Sequence, residues 1–340
     1  MTPFVLLFIY LFVVWYFSAN IPNNEIRRVR QCVLSCVGLI IVLGLHSPKQ
    51  GIDVENAYIP LFHYVDGSFS FEQYLGYEPM FYNYVSLIKR FTNQEQIFLF
   101  VTATLTVIPI LYFFKKESKN PIFSIIFYVS WVLFHFSFSG IRQAMAVSIV
   151  SIAYIYLFQR RYIVFIIIVI GAALIHTSAL LAILALPLFC IKLKDNKWFT
   201  IFIAFAFVTL VLPNVLVSII AFIFSDTGRY QNDIEGLRGG GFTLALVYLF
   251  FAFVVSFLKR KDNERSYVQF ILLLFVVQLL GMRSDVATRI GYYFLPLLYV
   301  IYPNVIEQSK HPKMYALLSC FLFISFFFYA YSGGYLNVLP

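Results

Sequence analysis

Long apolar runs separated by short clusters of charge recur from one end of the chain to the other. A membrane-spanning helix needs roughly 20 mostly apolar residues, with about 17 tolerated. Pro3–Ala19, Ile97–Phe114, Pro121–Phe138, Trp198–Leu212, Phe242–Leu258, Tyr267–Met282, Ile290–Ile306 and Met314–Tyr331 are the runs that read as spans. Gln31–Leu45 is shorter, but Arg30 and His46 bound it and can snorkel. Ser139–Phe158 is a span if Arg142 lies near a membrane surface. Tyr162–Ile191 is ambiguous: it is broken only by His176 and Thr177, so it reads as one tilted helix or as two short ones folding back at His176.

The basic residues decide between these readings. With two spans in Tyr162–Ile191 the chain crosses twelve times, and 17 of the 25 Lys and Arg residues fall on one side. They cluster in short loops: Arg27 to Arg30, Lys115 to Lys119, Arg160 and Arg161, Lys192 to Lys197, Lys259 to Arg265, and Lys310 with Lys313. With one span everything after Ile191 inverts, against the rule that Lys and Arg are retained in the cytoplasm. The expectation is therefore an all-α polytopic membrane protein of about twelve spans, a single domain over residues 1–340, with both termini outside. The first run has no basic segment before it and no clear cleavage site after it, and reads as a retained span. No repeat or long linker is apparent. The one sizeable hydrophilic segment, Ser47–Gln96, is outer. Within it Glu78–Phe91 (EPMFYNYVSLIKRF) carries Pro at a helix N1 position and reads as an amphipathic surface helix.

Composition agrees. Hydrophobic residues make up 61% and charged residues 12%, where a soluble domain usually carries about a quarter charged. The abundant Phe and Tyr fit lipid-facing bulk and interfacial belts. Because inner loops account for the net charge of +9, no nucleic-acid partner is needed. Cys32, Cys36, Cys190 and Cys320 sit in apolar runs without metal-site or disulfide-framework spacing.

Once the charges are sorted by side, the outer ones stand apart. Arg142, Arg229, Arg238, Arg283 and Arg289 are isolated at helix ends, beside Lys49, Lys89 and Arg90. Arg142, in SGIRQA, has no acidic residue nearby in sequence. At membrane depth such a group costs several kcal/mol unless it meets a cavity, a partner or an anionic ligand; a snorkelling interfacial arginine is the plain alternative. Arg283 and Arg289 flank Asp285, and a local ion pair would account for one of them but not both. Arg229 (DTGRY) and Arg238 (LRGGG) lie in a Gly-rich loop, a flap or a connector. Guanidinium groups converging on one outer cavity suit a phosphate or diphosphate, which the planar fork holds bidentately; Arg142 and Arg289 are expected to share such a cavity. His176 (LIHTSAL) lies where the chain turns back, as a structural or a proton-transferring histidine. Asp53, Glu55 and Glu78 add carboxylates that could orient sugar hydroxyls or act as a general base. Asp53 and Glu55 alone are a weak metal signal, and no GxSxG, HExxH, P-loop or zinc pattern occurs.

These motifs, in this order, resemble the EpsG-like branch of the bacterial Wzy-type polysaccharide polymerases. The matching pieces are G-x-D-x-x-x-x-Y (Gly51, Asp53, Tyr58), E-P (Glu78, Pro79), G-I-R-Q-A (Gly140 to Ala144), H-x-S-A-L (His176, Ser178 to Leu180), Arg229 with Tyr230, and R-x-x-Y-Y (Arg289, Tyr292, Tyr293). Where that family commonly has an arginine before G-x-D, this chain has His46 and Lys49. The resemblance implies a metal-independent glycosyl transfer, without a cofactor, at the outer face of the bacterial cytoplasmic membrane. Donor and acceptor would be repeat units on undecaprenyl diphosphate, and a chain-length regulator and a flippase of the same pathway would be partners alongside the membrane lipids. It implies substrate binding by Arg142, Arg289, Arg283, Arg229, Tyr58 and Tyr292. His176, Asp53 and Glu78 all stand open as the base. By fold analogy the chain would be GT-C-like.

Three rival readings differ in class. A ligase would use the same chemistry with another acceptor. A flippase or other transporter usually places charge at the bilayer midplane and often shows internal repeats, whereas these runs are nearly charge-free. A membrane acyltransferase would draw its donor from the cytoplasm, with His and Arg on the inner side.

Overall fold

The structure, a computed structural model, describes residues 2–70, 76–212, 240–258, 267–282 and 285–332. Every described element is a helix: α1 (Thr2–Ala19), α2 (Asn24–Gly44), a π-helical turn (Val54–Tyr58), α3 (Ile59–Tyr64), α4 (Pro79–Phe91), α5 (Glu95–Glu117), α6 (Pro121–Ser130), α7 (Val132–Phe136), α8 (Ile141–Phe158), α9 (Tyr162–Ala173), a 3-10 helix (Thr177–Leu184), α10 (Ala185–Cys190) and α11 (Asp195–Val211). Then follow α12 (Gly240–Leu258), α13 (Val268–Leu280), α14 (Asp285–Gly291), α15 (Leu295–Gln308) and α16 (Pro312–Ser332). Among the described residues three helices are long and apolar enough to cross a membrane: Glu95–Glu117, Ile141–Phe158 and Gly241–Leu258. Six further apolar helices are shorter, Pro3–Ala19 and Pro312–Phe328 among them.

Two of the expected spans are interrupted, for identifiable reasons. Within Pro121–Phe138 the backbone turns extended at Trp131 (φ −109°, ψ 179°), separating α6 from α7. A carbonyl left unpaired in an apolar setting is costly, and His135 Nε2 meets the Val129 oxygen at 3.1 Å. Within Ile290–Ile306 tight turns at Tyr292, Tyr293 and Phe294 precede Pro296, which sits in the first turn of α15 and has no N–H to give. The break anticipated at His176 is present: α9 ends at Ala173 and the 3-10 helix begins at Thr177.

Contacts divide the chain into two compact units, Met1–Leu180 with Met314–Pro340, and Leu181–Lys313. In the first, α5 packs on α2 and α8, and α8 on α9. Small residues on α8 (Ala144, Ala146, Ser148, Ser151, Ala153) are buried and allow close helix approach. Ser148 Oγ bonds the Thr106 carbonyl across the α5–α8 seam. Rings of Phe4, Phe134, His135 and Phe327 join α1, α7 and α16. In the second unit α13 packs on α11 and α12.

The hydrophilic segment is held by its own core. Val54, Phe62, Phe81 and Val85 are buried together with Phe98 on α5, Ile141 and Met145 on α8, and Ile175. The apolar face of α4 is therefore covered, while Met80, Leu87 and Phe91 remain exposed. This core fixes the start of α4 against the start of α8 and the end of α9.

Candidate functional site

Three pieces of chain distant in sequence meet at Glu78. It is the N-cap of α4, and Pro79 at N1 gives up an N–H that would be unpaired in any case. Its side chain makes no cap bond to its own helix. Instead the Met80 N–H donates to the Leu174 carbonyl at 3.2 Å, so the start of α4 and the end of α9 satisfy each other's unpaired backbone groups. That contact brings residues 174–177 beside the Glu78 carboxylate.

Both carboxylate oxygens are engaged. Oε2 accepts from Arg142 Nη1 at 2.5 Å. Oε1 accepts from the Thr177 amide at 2.8 Å, from Thr177 Oγ1 at 3.1 Å and from His176 Nδ1 at 3.2 Å. The two charged side chains are nearly enclosed, 11% exposed for Glu78 and 16% for Arg142. Burial pushes the Glu78 carboxyl up, but the His176 hydrogen bond, the Arg142 guanidinium and the Thr177 amide together outweigh it and hold the group at about 2. An ionised carboxylate only accepts. The nitrogen facing it must carry the proton, so in the neutral ring Nε2 of His176 is the basic atom.

Arg142 begins α8, where a cation faces the positive end of the helix dipole. Glu78 offsets this. Sequence reading gave Arg142 no nearby acid and inferred an anionic ligand from that lack; the structure supplies a partner 64 residues away. Nη1 also reaches the Gly76 carbonyl at 3.3 Å, and the guanidinium lies 5.2 Å from the Tyr77 ring centre. Tyr58 stands beside it too, and the Tyr77 hydroxyl ties this wall to the Ala57 carbonyl. Nε of Arg142 is buried without a hydrogen-bond partner.

Asp53 joins the site through its backbone. Gly51 adopts φ +92°, and a Cβ there would come within 2.2 Å of the Phe138 carbonyl oxygen, so only glycine lets this loop lie on the turn before α8. Two residues on, the Asp53 N–H donates to Ser139 Oγ at 3.1 Å. Among the described residues no ion pair engages the Asp53 carboxylate, which is half-buried. Glu55 is exposed.

The other candidates belong to the second unit or to α2. Arg289 is exposed on α14, and Tyr292 follows it half-buried. Arg229, Arg238 and Arg283 fall outside the described residues. His46, at the end of α2, is buried with Nδ1 2.5 Å from the Leu43 oxygen; burial lowers its pKa, so it is no substitute for an arginine. Sequence reading missed Thr177 and Tyr77. Thr177 has a signal, since the first amide after a helix break needs an acceptor. Among the described residues no cluster of three or more His, Cys, Asp and Glu side chains could hold a metal ion.

No curated protein and no solved structure matches this sequence. A family profile does, and it spans the G-x-D, E-P, G-I-R-Q-A and H-x-S-A-L positions just described as well as R-x-x-Y-Y near the end. Matched over residues 29–339, the chain belongs to the EpsG family, which suggests a membrane protein of the polysaccharide-polymerase type.

Proposed function

We propose that this protein is a membrane glycosyltransferase that polymerises oligosaccharide repeat units carried on undecaprenyl diphosphate, at the outer face of the bacterial cytoplasmic membrane. Beyond family membership, one observation carries the reading: a buried carboxylate, Glu78, holds His176 on one oxygen and Arg142 on the other. In this reading the chain crosses the membrane twelve times with both termini outside, as the sorting of basic residues supports.

The reaction joins an acceptor sugar hydroxyl to the anomeric carbon of the donor. The hydroxyl oxygen forms the new C–O bond, and the bond to the diphosphate breaks. The lipid diphosphate leaves with the electron pair. His176 Nε2 takes the hydroxyl proton, while Glu78 positions the ring and stabilises the imidazolium that forms. Glu78 is too acidic and too fully bonded to be the base itself. Negative charge growing on the departing diphosphate is met by guanidinium groups, Arg142 and Arg289 foremost. Tyr58 stands beside Arg142, Tyr292 follows Arg289 in sequence, and both are assigned to substrate binding.

The test is the lipid-linked glycan profile of a deletion strain complemented with variants. Without the protein, single units should accumulate outside and polymer should vanish; units trapped inside would make it a flippase. His176→Gln keeps a hydrogen bond but cannot exchange a proton near neutral pH, and should behave like the deletion. Normal polymer in that variant would leave Asp53 as the base.

A further inference from the structure

α4 carries two apolar faces, and protein covers only one of them. Phe81, Val85 and Ile88 are buried in the core of the hydrophilic segment. Met80, Leu87 and Phe91 are exposed, Phe91 by 82%. At 3.6 residues per turn these three fall within about 40° of one another, roughly 100° round the helix from the covered face. They form a second stripe that runs the length of α4.

Two observations say what covers it. The first is depth. Arg28 donates to the carbonyls of Lys115 and Lys116, and that basic cluster marks one edge of the bilayer. A hydrocarbon core of ~30 Å takes about 20 residues of helix, and so extends along α5 from Lys115 to about Glu95. The Tyr84 hydroxyl pairs with Thr102 Oγ1 at 2.6 Å. Thr102 lies about 10 Å inside that limit, and Phe98 and Leu99, which share a core with Phe81 and Val85, lie between. An interfacial helix sinks its apolar face about 5–10 Å into the boundary between head groups and acyl chains. α4 is packed on α5 at that depth, whereas a helix standing in water would pack above it.

The second observation is continuity. α9 exposes Ile163, Ile167, Ile170 and Leu174 in a single row, the face that such an apolar helix turns to lipid. The Leu174 carbonyl at its end accepts from the Met80 N–H, so the α4 stripe starts where the α9 row stops. Charge fits the same placement. Arg90, exposed about 80° from the stripe, donates from Nε to the Gly67 carbonyl and lies 4.0 Å from the Phe69 ring centre. Its charged end is thereby held at the edge of the stripe, where lipid phosphates lie.

We infer that α4 is an interfacial helix whose second apolar face lies in lipid at the head-group boundary, and that the Glu78 carboxylate at its N-cap is held near that level. The partner is the bilayer itself. The surface helix expected from the sequence thus meets the membrane by a face other than its most hydrophobic one, which the protein keeps for its own core. This placement does not depend on the reaction assigned above.

The experiment uses the full chain, freed of its four native cysteines, in nanodiscs holding one copy each. A nitrobenzoxadiazole probe is attached at Leu87→Cys or at Phe91→Cys. Glu55→Cys serves as the reference for water and Ile167→Cys, midway along α9, as the reference for the lipid interior; both positions are exposed. The quenchers are aqueous iodide and phosphatidylcholine brominated either near the head group or near the chain end. At Leu87 and Phe91 head-proximal bromines should quench more than chain-end bromines, and iodide about tenfold less than at Glu55. Ile167 should favour the deeper bromines. Iodide quenching as strong as at Glu55 puts the stripe in water and overturns the assignment. Shielding from iodide and bromine alike puts protein over it and overturns the assignment too, as does a depth equal to that of Ile167. Because two positions read the same face, a helix disturbed by one probe is exposed by disagreement with the other, and Met80→Cys then decides.

Discussion

Replacing Glu78 by Gln keeps the size of the side chain and removes its charge from between Arg142 and His176. A carboxyl held at about 2 instead of 4.5 favours its ionised form in the fold by about 3 kcal/mol. Breaking one side of a buried pair costs about 3–5 kcal/mol, because the other charge is left enclosed without compensation. The two figures arrive at the same range by different routes. Glu78→Gln and Arg142→Gln should therefore each destabilise by about 3 kcal/mol, and the double variant by little more than either, a coupling of about 2–3 kcal/mol. Unfolding free energies of the purified variants in mixed micelles, titrated with denaturing detergent, give the cycle directly. The sign with pH is fixed as well. The stabilisation is fully present above the ordinary carboxyl value near 4.5 and is lost as pH falls from there through about 2; Glu78→Gln should lack that acid-dependent loss. If the two single costs simply add to within about 0.5 kcal/mol, the pair is an ordinary exposed one and the orienting role of Glu78 goes with it.

Three further outcomes are expected. Arg142→Lys and Arg289→Lys keep the charge but not the planar fork, and polymer synthesis by membranes should fall about a hundred- to thousandfold at normal protein levels; normal rates in both would make them structural anchors. Thr177→Val loses the 3.1 Å hydroxyl bond to Glu78 but keeps the amide bond, so it should cost about 0.5–1.5 kcal/mol in unfolding while polymer remains. In a background freed of the four native cysteines, a cysteine at Ser68 should react with an impermeant thiol reagent in intact cells and one at Asn196 should not. Both positions are exposed, so labelling at Asn196 would overturn the crossing pattern read from the basic residues.

Much of this was legible in one dimension, and the illegible parts share a cause. Hydropathy located the helices because each must hide its own backbone from lipid, and Pro79 marked the start of α4. The same property hides the breaks at Trp131 and Phe294, where the residues on both sides are equally apolar and only the backbone changes. Arg142 and His176 each stood out as a polar group in a place that disfavours one, and Glu78 as one of the carboxylates of the hydrophilic segment. Their union did not, because a pairing across 64 or 98 residues leaves no trace in local spacing. The arginine looked unpartnered only because its partner was sought nearby.

The bond from Met80 to Leu174, with the clasp around Glu78, also sets a schedule for biosynthesis. Glu78 leaves the ribosome long before the residues that hold it: His176 comes 98 positions later. At about 5–20 residues per second that is a wait on the order of 5–20 s. During it the carboxylate waits uncovered, although Phe62 and Phe98 already cover part of the apolar face of α4. Only when the chain beyond α9 emerges does the start of α4 gain its partners, Leu174, His176 and Thr177. The protein thus completes its hydrophilic segment late, after the helices that flank it, and a nascent chain stopped before His176 should be digested there more readily than one stopped beyond Leu180.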